Sequence, residues 1–217
     1  MVIFRRFTSR CIILLLAFGF TVTPLDGVLA QSGSVFSDIQ GHWAQPFIEQ
    51  LVQQGIVEGR LPGQFDPDAW VDRAEVTKMA LVAFASPSMK KAAASSRFPD
   101  IPVTAWYASY VAEARHMGVV QGYSDGMFHA DQYVNRVEAL KIVLGAAGVP
   151  LETSFQRLFA DVAPGDWYAS YVDCAVERGL MSPDGVGQFG AAQFVTRAEM
   201  TKLIAGLTTR SHISASH

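Results

Sequence analysis

Thr196-Arg197-Ala198-Glu199 has two counterparts earlier in the chain, Asp72-Arg73-Ala74-Glu75 and Asn135-Arg136-Val137-Glu138. Each stretch places a good helix N-cap residue three positions before a Glu, which is the spacing of a capping box. The Glu carboxylate would then also lie near the positive end of the helix dipole. Because an apolar stripe follows each stretch, all three predict the start of an amphipathic helix.

Other landmarks recur at fixed distances from these stretches. In each copy a Trp stands 30 residues before the Arg and a Gly stands 18 residues before it, and a Phe-x-Asp motif precedes the Trp. This self-similarity predicts three structural repeats, over residues 36–85, 98–147 and 159–207. The other segments are a lead at 31–35, linkers at 86–97 and 148–158, and a polar tail at 208–217.

Each repeat is predicted to contain two helices joined by a loop. Helical periodicity follows each Trp, and the first helix should end at a Gly that can adopt a left-handed conformation: Gly55, Gly118 or Gly179. One such unit has little core of its own, whereas three can bury their second helices against one another. The expected fold class is therefore mainly α, with three helix-loop-helix units in one domain of approximate threefold symmetry.

Residues 1–30 have the pattern of a secretory signal peptide. Three Arg precede an apolar run at 11–20, and small residues precede a cleavage position after Ala30. The alternative is a retained membrane anchor, which needs about 20 apolar residues, but Thr21, Pro24 and Asp26 interrupt the run. We therefore expect an exported protein at the cell surface, in the cell wall or in the periplasm.

The predicted mature chain is acidic and poor in cysteine. Removing residues 1–30 lowers Lys+Arg from 17 to 14 and Asp+Glu from 20 to 19, a net charge of −5, and leaves Cys174 as its one cysteine. This composition disfavours nucleic-acid binding and excludes an internal disulfide. We also expect no metal and no cofactor. Catalysis is not expected, because no His recurs in register and no H-E-x-x-H is present.

Taken together, these motifs resemble the S-layer homology (SLH) domain in three tandem copies, and the third copy carries the family's T-R-A-E outright. The resemblance implies a three-pronged, pseudo-threefold spindle around a central helical bundle. It also implies non-covalent attachment to cell-wall polysaccharide, either a pyruvylated polymer or peptidoglycan, in grooves between repeats. The family's G-Y-x-D-G-x-F loop is intact only at residues 122–128; Arg60 replaces the Tyr in copy one, and Pro183 the first Gly in copy three. Not every groove need therefore be able to bind the polysaccharide.

Three sets of recurring residues are candidate ligand contacts. Each Arg could form a bidentate contact with a sugar carboxylate such as a pyruvyl acetal; alternatively, it pairs with a nearby Asp or Glu and braces the loop. Each Trp could stack on a sugar face; alternatively, it packs in the core. The recurring Asp is more readily understood as a cap or brace at the entry to the first helix. The candidates are Arg73, Arg136, Arg197, Trp43, Trp106, Trp167, Asp38, Asp100 and Asp161.

From these residues we expect a non-catalytic wall-binding module whose repeats fill the mature chain. We also expect it to be a monomer with internal symmetry. On this interpretation, replacing Arg136 and Arg197 by Ala weakens wall binding and leaves melting near wild type. The alternative function is an envelope adaptor or self-associating module that binds other envelope proteins and no glycan.

Overall fold

A computed structural model describes residues 35–85, 98–151, 159–183, 185 and 187–214. The predicted signal peptide, most of the lead, the first linker and residues 152–158 of the second linker lie outside these described residues. The described part is mainly helical, and its α-helices are α1 (Gln45–Gln53), α2 (Arg73–Phe84), α3 (Ala108–His116), α4 (Arg136–Ala146), α5 (Ala169–Glu177) and α6 (Arg197–Ser214).

The first helix of each repeat has the predicted position and the predicted end. Pro46 lies in the first turn of α1, where its missing N–H has no intrahelical partner to lose. After α1, α3 and α5 the chain turns through Gly55, Gly118 and Gly179, whose φ values are 69°, 74° and 61°. These left-handed conformations are the ones that favour glycine at a helix C-terminus.

The second helices α2, α4 and α6 begin at the predicted caps. In α4 the Asn135 side chain accepts from the Glu138 N–H, while the Glu138 carboxylate accepts from the Asn135 N–H, which completes a capping box. Thr196 and Glu199 make the same reciprocal pair in α6. In α2 the Asp72 side chain accepts from the Glu75 N–H, but the Glu75 carboxylate pairs with arginines instead.

These three helices contact one another and form the centre of the domain. Just before them, three extended segments close a ring of backbone hydrogen bonds: Val71 N–H donates to the Val195 carbonyl, Val195 to Val134, and Val134 to Val71, at 3.2, 3.0 and 3.1 Å. The three Val side chains are fully buried. This cyclic arrangement follows the sequence repeat, while the three-pronged spindle remains a prediction.

A pair of Phe side chains packs beside each second helix. Phe65, Phe128 and Phe189 are fully buried, and each lies against the Phe that opens its own repeat, with ring centroids 5.4–5.8 Å apart. Burying one such side chain stabilises the fold by about 1.5–3 kcal/mol. The buried face of the second helices is wider than the predicted apolar stripe, since α4 also buries Arg136, Val137 and Leu144.

Part of the predicted polar tail at 208–217 is helical. Helix α6 continues to Ser214, and the hydroxyls of Thr208 and Thr209 donate to the Ala205 carbonyl. These local bonds let the polar threonines continue the helix.

Candidate functional site

Arg197 connects the third repeat to the first. It is 3% exposed and forms an ion pair with Glu75, and it donates to the carbonyls of Phe65 and Glu58 at 2.8 Å each. Arg60 contacts the other oxygen of Glu75 at 2.9 Å, so one carboxylate serves two guanidinium groups. Burial, and then the charge of Arg60, lower the pKa of Arg197 to about 10.

Arg136 makes the equivalent connection from the second repeat to the third. It is 6% exposed, pairs with Glu199 and donates to the Ser182 carbonyl at 2.5 Å. The alternative in which each Arg pairs with an acidic residue therefore describes Arg136 and Arg197, with Glu as the partner. Because both pairs join different repeats, they stabilise the assembly of repeats as well as the loops.

Arg73 occupies the same position but has a weaker set of partners. Its guanidinium donates to the Tyr123 hydroxyl over a long 3.4 Å and lies over the rings of Tyr123 and Phe128. Within the described part of the chain no carboxylate lies within ion-pair distance of Arg73, and its buried Nε has no hydrogen-bond partner. The Tyr123 hydroxyl contacts the Glu138 carboxylate at 3.2 Å, and it therefore lies between the Arg73 guanidinium and this carboxylate of the second repeat.

The three repeated Trp side chains are largely exposed, at 52%, 57% and 56% for Trp43, Trp106 and Trp167. The alternative in which they pack in the core is therefore wrong. Lys78 lies over Trp106 and Lys141 over Trp167, with the Nζ atoms 5.8 and 5.3 Å from the ring centroids. Each of these Trp thus stands beside a cation from the preceding repeat.

The three repeated Asp side chains brace the loop that precedes the second helix. Asp38 accepts from the N–H groups of Phe65 and Asp66, and Asp100 and Asp161 do the same in their repeats. Burial alone would raise the pKa of each carboxyl, but these backbone donors hold all three pKa values below the ordinary value. The brace therefore reaches 27–30 residues along the chain, not to the adjacent first helix. Ligand binding by these Asp stays a prediction.

Two grooves bring residues of all three repeats together. The Arg197 groove has a volume of about 580 Å³, and the Arg73 groove about 190 Å³. In each, one repeat supplies the wall, the preceding repeat in cyclic order supplies the Arg, and the following repeat supplies the Trp. The Arg197 groove is lined by Ile56, Val57, Glu58, Gly59, Arg60, Asp72, Glu75, Lys78, Met79, Trp106 and Arg197. The Arg73 groove is lined by Arg73, Val119, Val120, Gln121, Gly122, Tyr123, Glu138, Lys141, Ile142 and Trp167.

The grooves also contain residues that the sequence analysis did not select as candidates. Lys78 and Lys141 stand five residues after the repeated Arg, and this fixed spacing was the available signal. Arg60 and Tyr123 were recognised only as a departure from the loop motif and as part of the intact copy. The register of the repeats showed that the two positions are equivalent, but the structure was needed to place them on groove walls.

Two absences hold for the residues that the structure describes. No group of three or more His, Cys, Asp and Glu side chains there is placed to hold a metal ion. No helix in those ranges is long and apolar enough to cross a membrane.

The sequence matches the S-layer homology domain at residues 35–77, 97–140 and 158–201, which together make up more than half of the chain. The protein therefore belongs to the S-layer homology domain family and is a cell-wall anchoring module, exported to the cell surface. The three tandem matches confirm the predicted three repeats.

Several curated proteins are similar to this chain. It is 30% identical to an exoglucanase, XynX, of Acetivibrio thermocellus over 86% of this chain and 17% of that protein. It is 29% identical to the S-layer protein sap of Bacillus anthracis over 82% of this chain and 22% of that protein. It is also 29% identical to the surface-layer 125 kDa protein of Lysinibacillus sphaericus, over 67% of this chain and 12% of that protein. The chain thus spans less than a quarter of the length of these relatives, which include both an enzyme and surface-layer proteins.

Proposed function

We propose that this protein binds cell-wall polysaccharide through the grooves between its repeats and performs no catalysis. The observation that carries the proposal is the same three-part arrangement in both described grooves: an Arg, a Lys and a half-exposed Trp, each from an equivalent position but from different repeats. The indole face can stack on a sugar ring, and the cations can attract an acidic substituent of the polymer. The family membership and the surface-layer relatives support this function.

The polymer is a pyruvylated wall polysaccharide or peptidoglycan. The test is sedimentation of the purified protein with isolated wall sacculi. Binding that survives protease treatment of the sacculi and is lost after hydrofluoric acid extraction indicates an attached wall polymer, and binding that survives both treatments indicates peptidoglycan itself. Binding lost with protease and retained after hydrofluoric acid would contradict the proposal.

The second candidate function, an adaptor or self-associating module, is supported by an exposed aromatic cluster outside the grooves. Trp70, Tyr133 and Phe194 each stand three residues before a repeated Arg, are about half exposed, and contact one another with ring centroids 5.2–5.8 Å apart. Exposed aromatic patches often mark protein interaction sites. Replacing Trp70 and Phe194 by Ser should abolish sacculus binding if this cluster is the attachment surface, and should leave it unchanged if the grooves are.

A further inference from the structure

The exposed aromatic cluster of Trp70, Tyr133 and Phe194 lies beside the ring of backbone hydrogen bonds. Each of these residues immediately precedes one of the three fully buried Val side chains that close the ring. Because successive side chains of an extended segment point to opposite sides, a buried Val directs the residue before it outward. The three rings contact one another and remain about half exposed. They therefore form one continuous apolar surface, and none of them lines either groove.

Carboxylates lie beside two of the three rings. Asp68 and Asp131 are exposed and stand two residues before Trp70 and Tyr133. Asp72 pairs with Tyr133 in an isolated antiparallel bridge, and burial, followed by the charge of Asp131, raises the pKa of Asp72. The carboxylates of Asp72 and Asp131 are thus close enough to repel each other. In the third repeat Ala stands where the other two have Asp68 and Asp131.

The cations nearest to these carboxylates already have partners. Arg60 donates to the Trp70 carbonyl, but its guanidinium forms an ion pair with the Glu of α2. His42 hydrogen-bonds one oxygen of Asp68 at 3.2 Å. Among the residues that the structure describes, no Lys or Arg lies within ion-pair distance of any of the three Asp. The side of the cluster formed by Trp70 and Tyr133 is therefore acidic.

The size and charge of the cluster argue against a second copy of this chain as its occupant. Three half-exposed aromatic side chains present roughly 300 Å², whereas a stable interface takes about 800 Å² from each partner. A symmetric contact would also bring the acidic sides of both copies together. An anionic membrane surface would meet the same repulsion.

We infer that the aromatic cluster is a docking site for a cationic segment of a partner protein, whose Arg or Lys side chains lie on the exposed rings and pair with Asp68 and Asp131. The face of an aromatic ring attracts a cation, most strongly for Trp, and a neighbouring carboxylate adds to the attraction. The inference goes beyond the proposed function and does not depend on it, since the cluster is outside the grooves. Such a site would hold a second protein beside the anchoring module.

The test uses two peptide probes that differ in charge. The first is acetyl-Gly-Arg-Gly-Arg-Gly-amide, and the second has citrulline at both Arg positions, which replaces each guanidinium by an uncharged urea of similar shape. Residues two apart lie on one face of an extended peptide, so both side chains can reach the cluster. Titrations are followed by the indole N–H resonances of Trp70 and, as a reference, Trp167.

We expect the Arg peptide to bind about tenfold more tightly than the citrulline peptide, because each exposed cation–π or ion-pair contact contributes roughly two- to fivefold. Its binding should shift the Trp70 resonance and leave that of Trp167 unchanged. Replacing Trp70 and Phe194 together by Ser should abolish the preference, whereas Trp70→Phe should retain part of it.

A second carboxylate provides the matched control. Asp131→Asn should lower the preference for the Arg peptide about threefold, as for an exposed charge pair. Glu177→Gln removes an exposed carboxylate at the end of α5 and should leave the preference unchanged. Circular dichroism establishes folding, and the two carboxylate variants still test the inference if the aromatic variants do not fold.

Equal affinity of the two peptides for the wild-type protein, or equal effects of Asp131→Asn and Glu177→Gln, would overturn the inference. So would a dimer in sedimentation equilibrium that Trp70→Ser dissociates, which would make a second copy the occupant. Binding to phosphatidylglycerol vesicles that Trp70→Ser abolishes would likewise overturn it in favour of a membrane surface. The proposed function is tested separately, because absence of sacculus binding by the wild type would refute that function and leave the peptide result unaffected.

Discussion

Replacing the same repeated arginine in two repeats should have unequal consequences for stability. Arg197→Gln removes one partner of a buried ion pair and leaves the carbonyls of Phe65 and Glu58 without their donors. Breaking a buried pair by removing one partner costs about 3–5 kcal/mol. Glu75 keeps Arg60 as a second partner, so we expect a loss near the lower end of that range.

Arg73→Gln removes a buried guanidinium that has one long hydrogen bond and two ring contacts. Its removal relieves a desolvated charge without stranding a carboxylate, which offsets the lost packing. We therefore expect the free energy of unfolding to change by about 1 kcal/mol or less. The two variants change the same residue type at the same repeat position. The difference between their free energies of unfolding therefore measures how much the partners of each guanidinium contribute to stability.

The assay is urea unfolding followed by circular dichroism and by tryptophan fluorescence, whose transitions should coincide if unfolding is two-state. Equal losses for the two variants, or a wild-type midpoint for Arg197→Gln, would refute this account of the ion pairs. The ion pairs also change one sequence-based prediction. We now expect the joint replacement of Arg136 and Arg197 by Ala to lower the melting temperature, so it is not a clean test of wall binding.

Further predictions concern the brace, a loop glycine and the exposed indoles. Because the pKa of Asp161 is lowered in the folded protein, its carboxylate stabilises the fold fully above the unfolded pKa of about 3.9, and this contribution is lost as the pH falls through the lower folded pKa. Urea titrations should therefore show the free energy of unfolding falling below about pH 4, and falling less steeply in Asp161→Asn. Gly122→Ala should cost about 1–3 kcal/mol more than Gly126→Ala in the same assay, because φ is positive at both but a Cβ at 122 would meet a Phe98 ring carbon at 2.5 Å, while none lies within 4 Å at 126. Trp106→Ala and Trp167→Ala should each weaken sacculus binding roughly tenfold with a melting temperature close to wild type; a large loss of stability with normal binding would assign the indoles a structural role.

Much of the fold could be predicted because its determinants are local. A cap residue and a Glu three positions later suffice to indicate a helix start, and Gly55 and its counterparts mark the helix ends without reference to the rest of the chain. The structure bears out both signals. The number of repeats was equally accessible, since it requires only self-similarity.

The partners of the candidate residues depend on distant parts of the chain and could not be predicted in the same way. A Glu at the third helical position predicts a local capping box, yet Glu75 and Glu199 also pair with arginines 122 and 63 residues away. Similarly, Asp38 precedes the first helix in sequence but binds the loop before the second one. The local sequence thus identified these residues, but it did not indicate the distant groups that they bind.

The inequality of the grooves follows from which positions the fold constrains. The cap, the closing Gly and the buried Phe recur in all three repeats, because each has a backbone or packing role that few residues can fill. The wall position held by Arg60 and Tyr123 needs only a side chain that can engage the Glu of the second helix, and a guanidinium and a phenol both do so. The fold thus tolerates either residue there, although the first adds a positive charge to its groove and the second does not. Repetition of the sequence therefore preserves the architecture, while several positions set the charge of a groove. Glu58 and Asp72 add two anions to the larger groove, where the second repeat has Gln121 and Asn135.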